Sequence, residues 1–434
     1  MVSKSRLTRV KGSKPNRMRL ECLRLDSTDM RLDEVEQLLR RVEDRVLAAS
    51  GDIVALRRHL HRFPELSGEE VETTAYLSNQ LKAAGVPHRL GRGFRGIITD
   101  TFSAQAKRPV VALRADIDAL PINEETDALY RSERPGKMHA CGHDAHTAML
   151  FGAVVALHQE EACIPIGWRA IFQPSEEVGH GAQDLIEQGA LHGVDAIVAQ
   201  HVDPSRIVGE IGVTTGSRTA FCQDFEATVT GRGGHGARPY TTIDPIAVSA
   251  QLITLCYQAL PREIDARAPV VLTFGAIHGG QAHNIIPDVV SLKGTIRALS
   301  SSTAEQARAI VQRLCLATAT AFNANISLEF SQMLPGIVNE AKIASVCYQA
   351  ATELVGSDNV GTADPPSMGA EDFADYLQTV PGCMMNLGVG KKGQTMTPLH
   401  TSRFDIDERA LVLGARLLVR TLFCWSKFSE SLGH

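Results

Sequence analysis

Hydrophobic positions along the chain repeat with two periods, and the switches between them mark out the elements. Between residues 31 and 60 the apolar side chains Leu32, Val35, Leu38, Leu39, Val42 and Val46 recur at the spacing of one helix face, which predicts a helix over this stretch. PVVALRAD (109–116) is a short apolar run that ends in polar residues and reads as a buried strand. Helical periodicity returns from His146 to Leu157, and WRAIFQ (168–173) and AIVAQHV (196–202) read as two further strands. Strands alternating with helices predict an α/β fold: a central, mostly parallel sheet flanked by helices.

From Thr219 the pattern changes. QDFEATVTG alternates as a strand and GRGGHGARPY is a glycine-rich loop. PIAVSAQLITLCYQAL reads as a helix opened by Pro245. VVLTFGAIHGG and VVSLKGTIRAL follow as strands. TAEQARAIVQRLCLATATAFNA is a second amphipathic helix with Thr303 as candidate cap, and ISLEFSQM is a last strand. The order β-α-β-β-α-β is that of a ferredoxin-like α+β unit. The expected organisation is therefore a basic tail (1–30), a discontinuous main domain (31–217 and 331–434) and an inserted unit (218–330). The strand MMNLGVG belongs to the main layer.

A length of 434 residues exceeds what one compact core usually holds, in keeping with two domains. A net charge of −5 argues against general nucleic-acid affinity, and no apolar run approaches the length of a membrane span. The first twenty residues differ: they carry Lys4, Arg6, Arg9, Lys11, Lys14, Arg17 and Arg19 and no acidic residue. Without an apolar segment behind them they are not a secretory signal. They read as a disordered tail, with an organellar transit peptide as the alternative. Nine cysteines, several inside apolar segments such as those around Cys256 and Cys315, predict buried free thiols and a reducing, cytoplasmic location.

The candidate chemistry is concentrated at predicted strand ends and turns. Cys141-Gly142-His143-Asp144 sets a thiol and an imidazole two residues apart, both good ligands for a borderline-soft metal. Glu176-Glu177 follows Pro174 after a strand, and two adjacent carboxylates beside a metal pair suggest one ligand and one base. His201 ends AIVAQHV, His400 lies in the loop TPLHTSRFD, and Asp116 closes the strand at 109–116. In parallel sheets ligands bind at the carboxyl ends of strands, so Asp116, Glu176, Glu177 and His201, each at or just past a predicted strand end, point to one shared site. No second cysteine pair is present to close a structural zinc site, so an open, catalytic site is expected: a metal-dependent hydrolase.

An ordered set of segments carries a resemblance. LRRHLHRFPELSGEE, RADIDALPI, MHACGHDAHTAML, FQPSEEVGHGAQDLIEQGAL, GRGGHGARP, GGQAHNIIPD, GTIRAL, SMGAEDFADY and PLHTSRFDIDERAL, across roughly residues 50–425, resemble the M20 metallopeptidase superfamily. The likeness is to its amidohydrolase subfamily D, with aminoacylase-like enzymes, hippurate hydrolases and auxin–amino acid conjugate hydrolases. The resemblance implies two divalent metal ions held by Cys141, His143, Glu177, His201 and His400, with Glu176 as general base and acid. Zinc or manganese is expected, and cobalt or nickel suits the same donors. Asp116 stands where sibling branches have a histidine, and Asp118 is implied to orient a ligand or tune Glu176.

The likeness further implies that His235 reaches a neighbouring subunit's site to stabilise the oxyanion, and that Asn284 binds the substrate carboxylate, with Arg297 as a weaker candidate for that work. Ala370 departs from the family pattern, which often has serine there. The implied reaction is cleavage of N-acyl or N-aroyl amino acids to a carboxylate and a free amino acid by metal-activated water. A dipeptidase or carboxypeptidase of the same superfamily is the alternative. The implied partners are the small-molecule substrate and a second copy of the chain, paired through the inserted unit, with no nucleic acid and no membrane.

Overall fold

The apolar stripe at the start of the chain packs as two helices rather than one, α1 (Leu32–Ala48) and α2 (Ser50–Arg62). Ser50, Gly51 and Asp52 are poor helix formers, and the helix breaks at Ala49 (φ −85°, ψ 5°). The computed structural model describes residues 32–101, 109–362 and 365–431, so the basic tail read from the sequence lies outside the described residues. Next come α3 (Val71–Ala83), β1 (His88–Leu90), β2 (Ile97–Thr99), β3 (Val110–Asp116), α4 (His143–Gln159) and β4 (Gly167–Gln173). They are followed by α5 (Gly181–Glu187), β5 (Ala196–Ile207) and β6 (Ile211–Gly212). β5 runs five residues beyond the predicted strand end at 202.

The chain then forms β7 (Phe221–Thr230), α6 (Pro245–Glu263), β8 (Val270–Gly279), β9 (Val289–Ala298), α7 (Ser301–Phe322) and β10 (Asn325–Phe330). It closes with α8 (Ala341–Val355), β11 (Val360–Gly361), α9 (Phe373–Tyr376), β12 (Gly382–Gly390) and α10 (Arg409–Ser431).

The main sheet has eight strands in the order β1-β2-β4-β3-β5-β12-β6-β11. Its centre, β4-β3-β5-β12, is parallel, while β1 with β2, β2 with β4, and β12 with β6 are antiparallel, so the sheet is mixed. Alternate residues of β3 enter different cores. Val111, Leu113 and Ala115 join one that includes residues of α1, α2, α4, α8 and α10, and Val110 and Ala112 join one on the opposite face with residues of α5 and α9. Coverage on both faces is why the central strands are written as continuous apolar runs.

The second sheet, β8-β9-β7-β10, is wholly antiparallel and follows the predicted β-α-β-β-α-β order. Its own buried cluster includes Phe225 and Val229 of the sheet, Leu252 of α6 and Ile310 of α7. Asp244 caps α6 by accepting from the Ile246 and Ala247 amides, with Pro245 at the first turn as expected. The cap of α7 is Ser300, not Thr303. Ser300 is extended (φ −141°, ψ 149°) and accepts from the Thr303 amide, which puts Thr303 inside the first turn. Among the described residues, no helix is long and apolar enough to cross a membrane.

Candidate metal centre and active site

β3 and β4 pair in register from Val110 with Gly167 to Asp116 with Gln173, so the segments leaving both strands emerge side by side. The Ile117 amide still donates to the Gln173 carbonyl (2.9 Å), which carries Asp118 beside the Glu176-Glu177 turn. Opposite them, Gly142 precedes α4 in the left-handed region (φ 83°). A Cβ there would lie 2.5 Å from Val202 Cγ2, so only glycine lets the Cys141–His143 turn press this closely against β5.

Side chains from four separate segments converge at this point. Cys141 Sγ lies 3.5 Å from His201 Nε2 and 3.3 Å from His400 Nε2. His400 Nε2 is also 3.5 Å from Glu177 Oε1, and His143 Nε2 is 3.8 Å from the same oxygen and 3.9 Å from Glu176 Oε2. His143 Nδ1 donates to the Asp118 carbonyl (3.0 Å) and His201 Nδ1 donates to the Val202 carbonyl (2.8 Å), which leaves both Nε2 lone pairs turned inward.

The donor set fits a metal. His143 Nε2 and Glu177 Oε1 are buried without a hydrogen-bond partner, an expensive arrangement that a cation would relieve. Burial, together with neighbouring carboxylates, pushes Glu176 well above the usual carboxylate range, and Glu177 is raised as well, chiefly by burial. The pocket thus concentrates carboxylates, and among them His143 is raised well above its ordinary value, burial opposing the shift and Asp116 driving it. Burial also drives His201 well below its ordinary value, which keeps it neutral, the form that ligates.

Behind these donors lies a buried support. His146 Nδ1 donates to Asp116 Oδ1 (2.6 Å) while its Nε2 accepts from the Val202 amide (2.9 Å), so both of its nitrogens are engaged. Asp118 Oδ1 approaches His143 Nδ1 (3.1 Å), and its Oδ2 accepts from Ser67 Oγ (2.7 Å) and the Glu177 amide (3.0 Å). Arg114, fully buried in β3, donates to Gln173 Oε1 (2.8 Å), Asp116 Oδ2 (2.6 Å), Glu371 Oε1 (3.0 Å) and Asp372 Oδ1 (3.1 Å). Burial opposes ionisation of Asp116, but His143, His146 and Arg114 hold it well below the carboxylate range. Asp144, next to His143, pairs with buried Arg57 (2.8 Å) and His61 (2.8 Å) of α2.

Sequence reading passed over Arg114, Gln173 and Arg57. A lone arginine in the apolar run VVALRAD was the available signal for Arg114, because buried charges are rarely left unpaired.

The structure therefore brings together Cys141, His143, Glu177, His201, His400 and Glu176, with Asp116 and Asp118 behind them. His235 and Asn284 lie elsewhere, exposed on a short ladder that pairs Gly234–His235 with Ile285–Ile286. Among the described residues, no hydrogen bond or ion pair links either to the cluster; His235 Nδ1 accepts from the Ala237 amide (3.1 Å). Arg297 is nearer. It donates to the Met368 carbonyl (2.9 Å) and lines a cavity of about 240 Å³ together with Glu176, Glu177, Asp224 and Glu371.

Comparison with known proteins places this geometry. Residues 112–423 match the peptidase family M20/M25/M40. The N-acetyl-L-cysteine deacetylase of Bacillus subtilis is 36% identical over 367 residues, spanning 84% of this chain and 86% of that protein. Thermostable carboxypeptidase 1 of Saccharolobus solfataricus is 35% identical over 391 residues, spanning 88% and 97%. A solved Bacillus subtilis structure, described as a dinuclear metal-binding peptidase from the M20 family, aligns with a TM-score of 0.77 at 31% identity, covering 88% of this chain and 99% of that one. The chain belongs to peptidase family M20/M25/M40 and is an amidohydrolase of that family.

Proposed function

We propose that the chain hydrolyses N-acyl or N-aroyl amino acids to a carboxylate and a free amino acid, with two divalent metals held by Cys141, His143, Glu177, His201 and His400. The observation that carries this reading is the convergence of five donor side chains with one further carboxylate, Glu176, beside them and within 3.9 Å of His143. When bound, the metals supply Lewis acidity toward the scissile carbonyl and make water a nucleophile near neutral pH. Glu176 takes a proton from that water and returns it to the amide nitrogen as the carbon–nitrogen bond breaks, so the amine leaves neutral. Asp118 orients His143, and Asp116 orients His146 behind it. The thiol, imidazole and carboxylate donors suit zinc or manganese, with cobalt or nickel as further fits.

Arg297, in the same cavity as Glu176, is positioned to take the substrate carboxylate. We assign residues 31–217 and 331–434 to one domain and 218–330 to an inserted one, in keeping with the separate buried cluster of the second sheet. Pairing of two copies through the inserted domain would bring exposed His235 and Asn284 to the partner's site, His235 to the oxyanion and Asn284 to the carboxylate. Exposed Val271 and Ile277 on the edge strand β8 supply apolar surface for that contact, and light scattering would read the resulting mass. Among the described residues, eight buried free cysteines suit a reducing, cytoplasmic location.

A second reading, a dipeptidase or carboxypeptidase, draws on Asp224 and Asp375, which line the same cavity and suit a free ammonium group. Comparing kcat/KM for N-acetyl amino acids with that for matched dipeptides on metal-loaded protein separates the two. Preference for the acetyl compounds is expected, and preference for the dipeptides would replace the first reading with the second.

A further inference from the structure

The Glu176-Glu177 pair is preceded by a residue in an unusual conformation. Ser175 has φ 57°, in the left-handed region that side chains other than glycine adopt at a cost. The turn it makes is tightly enclosed. A Cβ added to Gly181 would lie 1.6 Å from the Pro174 carbonyl oxygen, and the Ser175 carbonyl accepts from the Gly181 amide (3.3 Å).

The group that grips Ser175 from the other side is Glu70. Its carboxylate is fully buried, and its Oε1 accepts from the Ser175 amide (2.8 Å), the Ser175 hydroxyl (3.2 Å) and the Gly68 amide (2.9 Å). Its other oxygen has no hydrogen-bond partner and lies 3.9 Å from Arg95. Of the three hydrogen bonds that this buried carboxylate accepts, one comes from its own turn, at Gly68, and two from strained Ser175, while an apolar side chain would fill the space without the cost of burying a charge but would hold neither amide.

The turn that carries Glu70 reaches the same dyad a second time. Leu66 bridges Ala119, and Ser67 holds Asp118 Oδ2, the oxygen that accepts from the Glu177 amide. The two holds are separate: Glu70 fixes the residue before Glu176, and Asp118 fixes the amide of Glu177.

We propose that Glu70 is a positioning residue that locks Ser175 in its left-handed conformation and so aims Glu176 at the scissile amide, without acting on substrate itself. This rests on the reading of Glu176 as the base. The acidic residue that ends the motif PELSGEE thereby acquires a role, about a hundred residues upstream of the group it serves.

The test is a double-substitution cycle, read as kcat, KM and metal content with an N-acetyl amino acid as substrate. Glu70→Ala is expected to lower kcat roughly 10- to 100-fold, the range such backbone strain represents, with KM changed less than about threefold. Metal content is expected to hold, because the Glu177 amide keeps its bond to Asp118. Glycine occupies the left-handed region freely, so in a Ser175→Gly background the same Glu70→Ala change should cost less than about threefold. A double variant as slow as Glu70→Ala alone, wild-type kcat in Glu70→Ala, or a loss fully explained by missing metal would each overturn the proposal.

If Glu70→Ala does not fold, Glu70→Gln carries the test, because its carbonyl oxygen can still accept from the Ser175 amide. A kcat near wild type is expected, and a loss as large as that of Glu176→Gln would overturn the proposal. Wild-type turnover in Glu176→Gln would remove the base reading and this proposal with it. An inactive Glu176→Gln beside a failed cycle overturns the Glu70 proposal alone.

Discussion

The two sheets hold their polar residues in opposite ways. At the carboxyl ends of β3 and β4, buried Asp116, Asp118 and Arg114 each make several defined contacts, and the donors they support face inward. Beside the second sheet, His235 and Asn284 are exposed, and neither is tied to the cluster. Catalytic groups need fixed geometry in a dry setting, so their support is built into the core. Residues that act on an incoming molecule or a second chain can wait at the surface. The contrast teaches that substitutions at the buried support should cost stability and chemistry together, whereas those at exposed His235 and Asn284 should, on the roles proposed for them, cost chemistry alone.

Arg114→Ala tests the first half and carries the largest expected effect on folding. It removes the one guanidinium that Asp116, Glu371 and Asp372 share in the core, which should cost about 3–5 kcal/mol of stability, read as a lower denaturant midpoint. Unchanged stability would break the comparison, because the buried support would then be dispensable. His235→Ala tests the second half. On the role proposed for His235 at the oxyanion, kcat is expected to fall about 100-fold with the denaturant midpoint unchanged. A full-rate variant would remove His235 from the reaction, and a destabilised one would show that the exposed ladder is structural after all. Ser300→Ala is the smallest case. Removing the cap of α7 should cost roughly 1 kcal/mol in the second unit and leave kcat as it was.

How much of this was legible in the sequence depended on whether the signal was local. The central strands could be read because both of their faces are covered, which writes them as uninterrupted apolar runs such as VVAL. The break at Ala49 could not, since one non-helical residue leaves the apolar stripe almost in phase. The cap of α7 was misplaced by three residues because Ser300, Ser301, Ser302 and Thr303 all suit capping and only backbone conformation chooses among them.

In the site, strand-end position marked Glu176, Glu177 and His201 in advance, residue type in a glycine turn marked Cys141 and His143, and His400, in a loop, joined them through the family resemblance. Their convergence is non-local, though, with Cys141 and His400 separated by 259 positions. Ser175 gave no warning at all: nothing in the letters FQPSEEVG marks a serine with positive φ, and the carboxylate that holds it lies 105 positions away.

The central claim is that Glu176 moves the proton while its neighbours hold metal. The most direct measurement is metal content and kcat of Glu176→Gln, side by side with the wild-type chain, on an N-acetyl amino acid. The expected result is an unchanged metal complement with kcat lower by about 10²–10⁴-fold. Turnover at the wild-type rate with the metal in place would contradict the claim.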